Sequence, residues 1–565
     1  MKKIFLIAAS LYIFNSCTDD FAETNTNPLD IVNTTPEALL PMAIKKGYDA
    51  SFEYYYDYYR RIMPWTQTLV PSTGNIDDFM NDGSNMNQRK DVFYGDHGAL
   101  LTDIIYKIDQ MPADQQARYV NIKSIATILK VYYAWYVTDV NGSIAYTEAF
   151  QARYGGTLTP KFETQEQLYD IFDNQLNNVY TAIEGANQSI QVKPGSGDLF
   201  FNGDISKWKK ISNSLRLKIA SRLMKRNPAK LISIATQVLS RDQISGNNES
   251  FSLRARRFTE HGNFNPIGFS ASKPMVDFMG SNNDPRLRIF FQKNSYSKTA
   301  IHRLQAAGQL NTVAIPSSDT MTTNTKWRYV GGPASPYMVS VNHSRYYTSA
   351  KRTLNGVIYD TISKLQYRIW QPEYNSGTGN AIFNMLTFAD YTLLKAELQA
   401  RGLINTGQST QLLYNTGIEA SIQAYDYMAK EAVIEMPAGE TTYSFPTSSE
   451  ISAYQNASDV LFNPSKAIEQ IIIQEYLNYF KQPNEVWALI KRTDMPNTST
   501  ALKLEAAMTN AGLPLTMPRR IVLPTPSANN LNYTNQINAL KQMKDDPDFG
   551  TSESDIQGRI WWDKK

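Results

Sequence analysis

Apolar residues recur at spacings of three and four along much of this 565-residue chain, the signature of amphipathic helices. Ile122, Ile125, Leu129, Tyr132 and Tyr136 form one such stripe. In "ETQEQLYDIFDNQL", Thr164 and Gln167 have the spacing of a capping box. Leu168, Ile171, Phe172, Leu176 and Val179 then line one face. "GDISKWKKISNSLRLKIASRLMKR" opens at a predicted N-cap, Asp204, and carries Trp208, Ile211, Leu215, Ile219 and Leu223. A later stripe of Leu386, Ala389, Leu393 and Leu394 should stop at Gly402. Another opens at Asn463 and Pro464 and buries Ile468, Ile471, Ile472 and Tyr476.

These helices come in neighbouring pairs, which predicts stacked helical hairpins over about 31–245 and 380–500. Between about 246 and 380 the pattern breaks. "HGNFNPIGFS", "AIPSSDTMTTNT" and "VGGPASPYM" are rich in Gly, Pro, Ser, Asn and Thr. They predict a loop-rich cap with minor β structure. The chain from Pro514 is again loop-rich, and Asp545–Asp548 with "TSESD" read as a polar surface tail. The expected class is mostly α, a tetratricopeptide-like helix-pair scaffold carrying that cap.

The N-terminus has a different pattern. Lys2 and Lys3 precede an apolar run from Ile4 to Phe14, too short for a bilayer span of about 20 residues. Cys17, the only cysteine, follows this run after Asn15 and Ser16. A thiol there suits lipoprotein processing, in which it accepts a diacylglyceryl group and more than one acyl chain gives firm anchoring. Residues 1–16 then form a signal peptide, 17–30 an anchored linker and 31–565 a single domain. With 56 basic and 53 acidic side chains the chain is close to neutral, which gives no steering toward nucleic acid.

Catalytic motifs are missing. His97, His261, His302 and His343 show no metal-binding spacing, and neither GxSxG nor a Walker loop occurs. No cofactor or metal is expected. A hydrolase using two carboxylates stays open as an alternative. "DDFMNDG" (Asp77–Gly83) places Met80 where a calcium loop needs a ligand, so it reads as a polar surface loop. The run Lys207, Lys209, Lys210, Arg216, Lys218 and Arg222 reads as a solvated helix face, and "YYYDYYRR" (Tyr54–Arg61) as a core helix.

Sugar rings rest on flat aromatic faces while amides and carboxylates hold their hydroxyls. Two regions combine these groups: Trp65, Gln67, Asn75, Asp77 and Asp78; and Trp327, Tyr329, Tyr337, Tyr346, Tyr347, Trp370 and Tyr374. Trp327 and Trp370, flanked by Gly and Pro, are the leading candidates. Trp208 and Trp487 read as helix packing.

Several segments together resemble the SusD/RagB family of nutrient-binding outer-membrane lipoproteins, in its second SusD-like branch. They are "NTNP" (Asn25–Pro28), "WYVTDVNGSIAYTEAF", "PKFETQEQLYDIF" with "FNGDISKWKKISNSLRLKIASRL", "NNDPRL" (Asn282–Leu287), "EYLNYFKQPNEVWALIKRTDMP" and "PRRIVLPTP", in the family's order. Ala145 stands where proline is usual and Leu523 where an aromatic is usual. Asp19 and Asp20 after the cysteine resemble an address for the outer cell surface. The resemblance implies a non-enzymatic lid on a TonB-dependent, SusC-like transporter that captures oligosaccharides or, alternatively, peptides.

Overall fold

The computed structural model describes residues 34–48, 62–71, 88–255, 269–309, 328–335, 352–360, 362–436, 443–506, 508–510 and 513–565. Its longer helices, in chain order, begin with α1 (Pro36–Tyr48), α2 (Gly98–Asp109), α3 (Val120–Asn141), α4 (Gln165–Gly185), α5 (Ile205–Ala220) and α6 (Pro228–Leu239). After α7 (Lys273–Ser281) come α8 (Phe388–Ala400), α9 (Thr410–Ala432), α10 (Ser448–Gln455), α11 (Ala467–Asn478), α12 (Pro483–Thr493) and α13 (Tyr533–Lys544). Each of α1 to α5 packs on its successor. α8 packs on α9 and α11, and α11 on α12. α5 also touches α8, which joins the two halves of the scaffold.

Local chemistry explains the helix starts. Thr164 caps α4 by accepting from Gln167 N, and the Gln167 side chain accepts from Thr164 N at 2.9 Å. Asp204 caps α5 by accepting from Ser206 N. A second capping box, Thr447 with Glu450, opens α10. Gly402, at φ +71°, follows α8 where a left-handed residue can end a helix. Leu386 is not in that helix. It ends a strand, and α8 starts after the cap Thr387.

Among the described residues, strands occur as two-stranded antiparallel ribbons: β1 (Leu69–Pro71) with β3 (Phe269–Ala271), and β2 (Phe251–Ala255) with β6 (Ala381–Leu386). β4 (Arg352–Leu354) pairs β5 (Val357–Tyr359), and β7 (Thr509–Asn510) pairs β8 (Leu513–Pro514). The region from 246 to 380 carries β2 to β5 as predicted, but also α7 and a short helix at Lys298–Ala306.

One apolar core runs from Leu39 to Trp562. Trp208 sits in it, donating its indole N–H to Asp198 Oδ2 at 2.8 Å, and Trp487 donates to Pro518 O at 2.9 Å. The reading of both as packing residues agrees with this.

The basic face of α5 departs from its reading as solvated. Lys207, Lys209 and Lys210 stay near the surface, whereas Arg216, Lys218 and Arg222 are buried. Lys218 Nζ reaches Asp390 at 2.8 Å, Glu485 at 2.7 Å and the Tyr479 hydroxyl at 2.7 Å. Arg222 reaches Asp139 and Glu485, both at 3.0 Å. These two cations hold the Glu485 carboxyl down to about 2 against the opposing effect of burial. The i, i+4 pattern reports which residues share a face, but a buried ion-pair network places charges on the inner face as well.

The C-terminal segment is polar and at the surface over Asp545–Asp548 and Thr551–Asp555, but it is tied to the scaffold. Asp546 pairs with Arg226 at 2.5 Å, and Asp563 pairs with Arg519 at 2.5 Å. Trp562 is buried against this network, with Arg222 5.3 Å from its ring. "NNDPRL" becomes a turn with Asn283 at φ +56°. Its Arg286 is wholly buried, donating to Asp284, Ser421, Tyr454 and Gln474. Tyr54–Arg61 and Asp77–Gly83 lie outside the described residues.

Candidate functional site

The turn Met63–Trp65 leads into β1 through Gln67, whose φ of +57° turns the chain. Thr66 and Thr68 hydroxyls donate to Met63 O, which tightens that turn. β1 then pairs β3 in the register Leu69↔Ala271 and Val70↔Ser270. Beyond β3 the chain bridges Ser272 to Gly332, and Gly332 N donates to Ala271 O at 2.8 Å. Gly331 has no room for a side chain, since a Cβ would lie 2.4 Å from Lys273 Cα. Gly331 and Gly332 are therefore laid directly against the end of β3.

Glu505 ties these pieces together. Its Oε2 accepts from Ala334 N at 2.9 Å and Ser335 N at 3.2 Å. Its own backbone exchanges two hydrogen bonds with the Gln67 amide, 2.8 Å to Oε1 and 3.2 Å from Nε2. Ser335 Oγ donates to Thr509 O at 3.1 Å, and Thr509 N donates back to the hydroxyl at 2.9 Å. Trp65 packs on Met508 within the same knot. Burial pushes the Glu505 carboxyl up, which its backbone donors partly oppose. A neighbouring cavity of about 380 Å³ is lined by Lys273, Asp277, Phe278, Asp459, Lys503 and Glu505. Such a size suits a small ligand.

The structure thus joins parts of the two sequence regions, through Gln67 of the first and Ala334 and Ser335 of the second. Trp65 stands on this junction against Met508, whereas Tyr329, earlier in the 328–335 segment, lies toward Arg288 and Tyr443. Trp65 and Tyr329 are both largely buried. Asn75, Asp77, Asp78, Trp327, Tyr337, Tyr346 and Tyr347 lie outside the described residues. Cys17 does too.

Trp370 is corrected. It is 0% exposed, edge-on to Phe480 at 5.6 Å, with Lys481 Nζ 5.0 Å from its ring. No face is open to a sugar. Its Gly- and Pro-rich surroundings fold inward because Lys481 donates to Ile369 O and Ile382 O, pulling this turn onto the core. Tyr374 is half-buried, 4.7 Å from Tyr367, in that separate neighbourhood. Glu505 and Ser335 were not picked out from the sequence. A lone acid in the small-residue stretch "LEAAM" was the available signal.

A family model described as "starch-binding associating with outer membrane", of the second SusD-like group, matches residues 28–524. The chain belongs to this SusD-like family. No curated protein sequence matches it. Among solved structures, a chitin-binding protein is similar at 22% identity and TM-score 0.69, covering 94% of this chain and 100% of that one. A SusD homologue from Parabacteroides distasonis ATCC 8503 is 18% identical with TM-score 0.68, covering 94% and 98%. A Bacteroidetes SusD-like protein, AC2a, is 19% identical with TM-score 0.66, covering 94% and 100%. At these identities the likeness establishes the shared SusD-like fold, mostly helical with little sheet.

Proposed function

We propose that this SusD-like chain is a lipoprotein of the outer cell surface that captures oligosaccharides. It delivers them, as a lid, to a TonB-dependent, SusC-like transporter. The observation that carries the reading is the family match over 28–524, whose description joins starch binding to the outer membrane. The chitin-binding relative supports a carbohydrate ligand over a peptide. Cys17, after its short apolar leader, supports the lipid anchor, with residues 1–16 removed and 17–30 as tether.

The ligand face is proposed at the Glu505 junction and the chain that continues from it. Trp65, Tyr329, Trp327, Tyr337, Tyr346, Asp77 and Asp78 remain the contact candidates. Binding rather than catalysis is the proposed activity.

The test is to express the parent and Cys17→Ala in the native cells, fractionate, and capture the parent from solubilised outer membrane. The parent should bring a TonB-dependent barrel with it, and Cys17→Ala should leave the membrane fraction. A parent that partners no barrel, or a Cys17→Ala protein that stays in the outer membrane, contradicts the reading.

A further inference from the structure

A second cavity, of about 450 Å³, lies on the other ribbon. Its floor is the β2–β6 pair, in which Ser252 stands opposite Asn384 and Arg254 opposite Ile382. Side chains alternate across a strand, so these four project from one face of the ribbon. α9 forms one wall with Gln423, Tyr427 and Met428, and Phe200 and Phe201 form another. Asn247 closes one end. None of these residues belongs to the Glu505 junction.

The lining is rich in uncommitted hydrogen-bonding capacity. Asn247 Nδ2 donates to Ala420 O at 3.0 Å, but Asn247 Oδ1 is buried with no partner among the described residues. That oxygen is covered on all sides and is not itself open to a ligand. Asn384 Oδ1 accepts from Ser252 Oγ at 2.8 Å, which orients its Nδ2 group as a donor. Gln423 donates to Glu419 at 3.0 Å and so keeps its carbonyl oxygen to accept. Tyr427 is 52% exposed, an aromatic face at the rim.

The charges nearby are already compensated. Arg254 pairs with Glu431 at 2.5 Å, and Lys207 lies 3.9 Å from Asp204. An anionic ligand is therefore not called for. The cavity opens on the side-chain face of the ribbon and not on its edge, so it offers amides and rings rather than main-chain pairing for an extended peptide.

We propose that this cavity is a second carbohydrate site, taking one or two residues of a neutral sugar through Asn384 and Gln423, with Tyr427 against a ring face. It deepens the carbohydrate reading above, but occupies a different place on the scaffold.

The test uses full-length protein labelled at methionine methyl groups, because Met428 lines this cavity and Met508 lies beside Trp65 in the junction. Maltotriose, cellotriose and chitotriose are titrated separately to about 10 mM, enough to reveal millimolar affinity. At least one should shift the Met428 resonance saturably. Asn384→Ala and Gln423→Ala, each checked for an unchanged melting profile, should weaken that response about tenfold or more. Silence at Met428 with all three sugars, or a response untouched by both substitutions, overturns the second site. A response at Met508 alone upholds the junction and overturns this inference. A response at Met428 alone does the reverse.

Discussion

Lys491 places its ammonium 4.1 Å from the Trp487 ring and 4.6 Å from Trp562, wholly buried. Burial pushes it down to about 7, with Arg519 and Arg222 adding to the effect and Asp563 and Asp139 opposing it. The folded chain thus binds fewer protons than the unfolded one between about 7 and the ordinary value of 10.5. Its cost is fully present below about 7 and fades as pH rises through that window. Lys491→Met should raise stability by about 1–3 kcal/mol at pH 6 and much less at pH 10. Denaturant melts at both values check this, and an equal effect at both would contradict it. Trp370→Ala belongs to the same scale. Its side chain is core, so the change should cost about 3–5 kcal/mol while leaving affinity in the folded protein unchanged. A loss of affinity without loss of stability would return Trp370 to the ligand face. The flanking Gly and Pro of Trp370 were visible in the sequence. The Lys481 side chain that pulls its turn inward is more than a hundred residues away, and no local pattern reports it.

Elements were legible where their information is local. Thr164 with Gln167, Asp204 and Gly402 mark helix ends through bonds or backbone angles spanning a few residues. Leu386 was misplaced because an apolar residue fits a strand end as well as a helix stripe. Lys218 and Arg222 were misread because their partners Asp390, Glu485 and Asp139 come from other helices. The junction is also an assembly of remote elements: Gln67, Ser335 and Glu505 meet only in the fold. Glu505 should therefore act as a tie. Glu505→Ala leaves the Ala334 and Ser335 N–H groups without their acceptor and should cost about 1–3 kcal/mol. It should also weaken ligand binding, whereas Glu505→Gln, which keeps an acceptor oxygen, should do less on both counts. Melts and binding titrations of the two variants decide this. Equal behaviour of Ala and Gln would sink the role of the carbonyl-type acceptor.

Across the whole molecule, six ordered segments sufficed to recognise the family, and among the described residues two of them sit at packing points. "NNDPRL" holds buried Arg286, and "PRRIVLP" holds Arg519 on Asp563 and Lys491 O. Ligand contacts carry no such signature, since flat aromatic rings fill cores and bind sugars with the same surface. At this scale the proposed role is carbohydrate capture. It is tested most directly by isothermal titration calorimetry of the purified mature chain against pools of neutral oligosaccharides and, separately, of short peptides. Saturable heat is expected with at least one oligosaccharide pool and none with the peptides. Saturable binding of the peptide pool with no response to any oligosaccharide would contradict it.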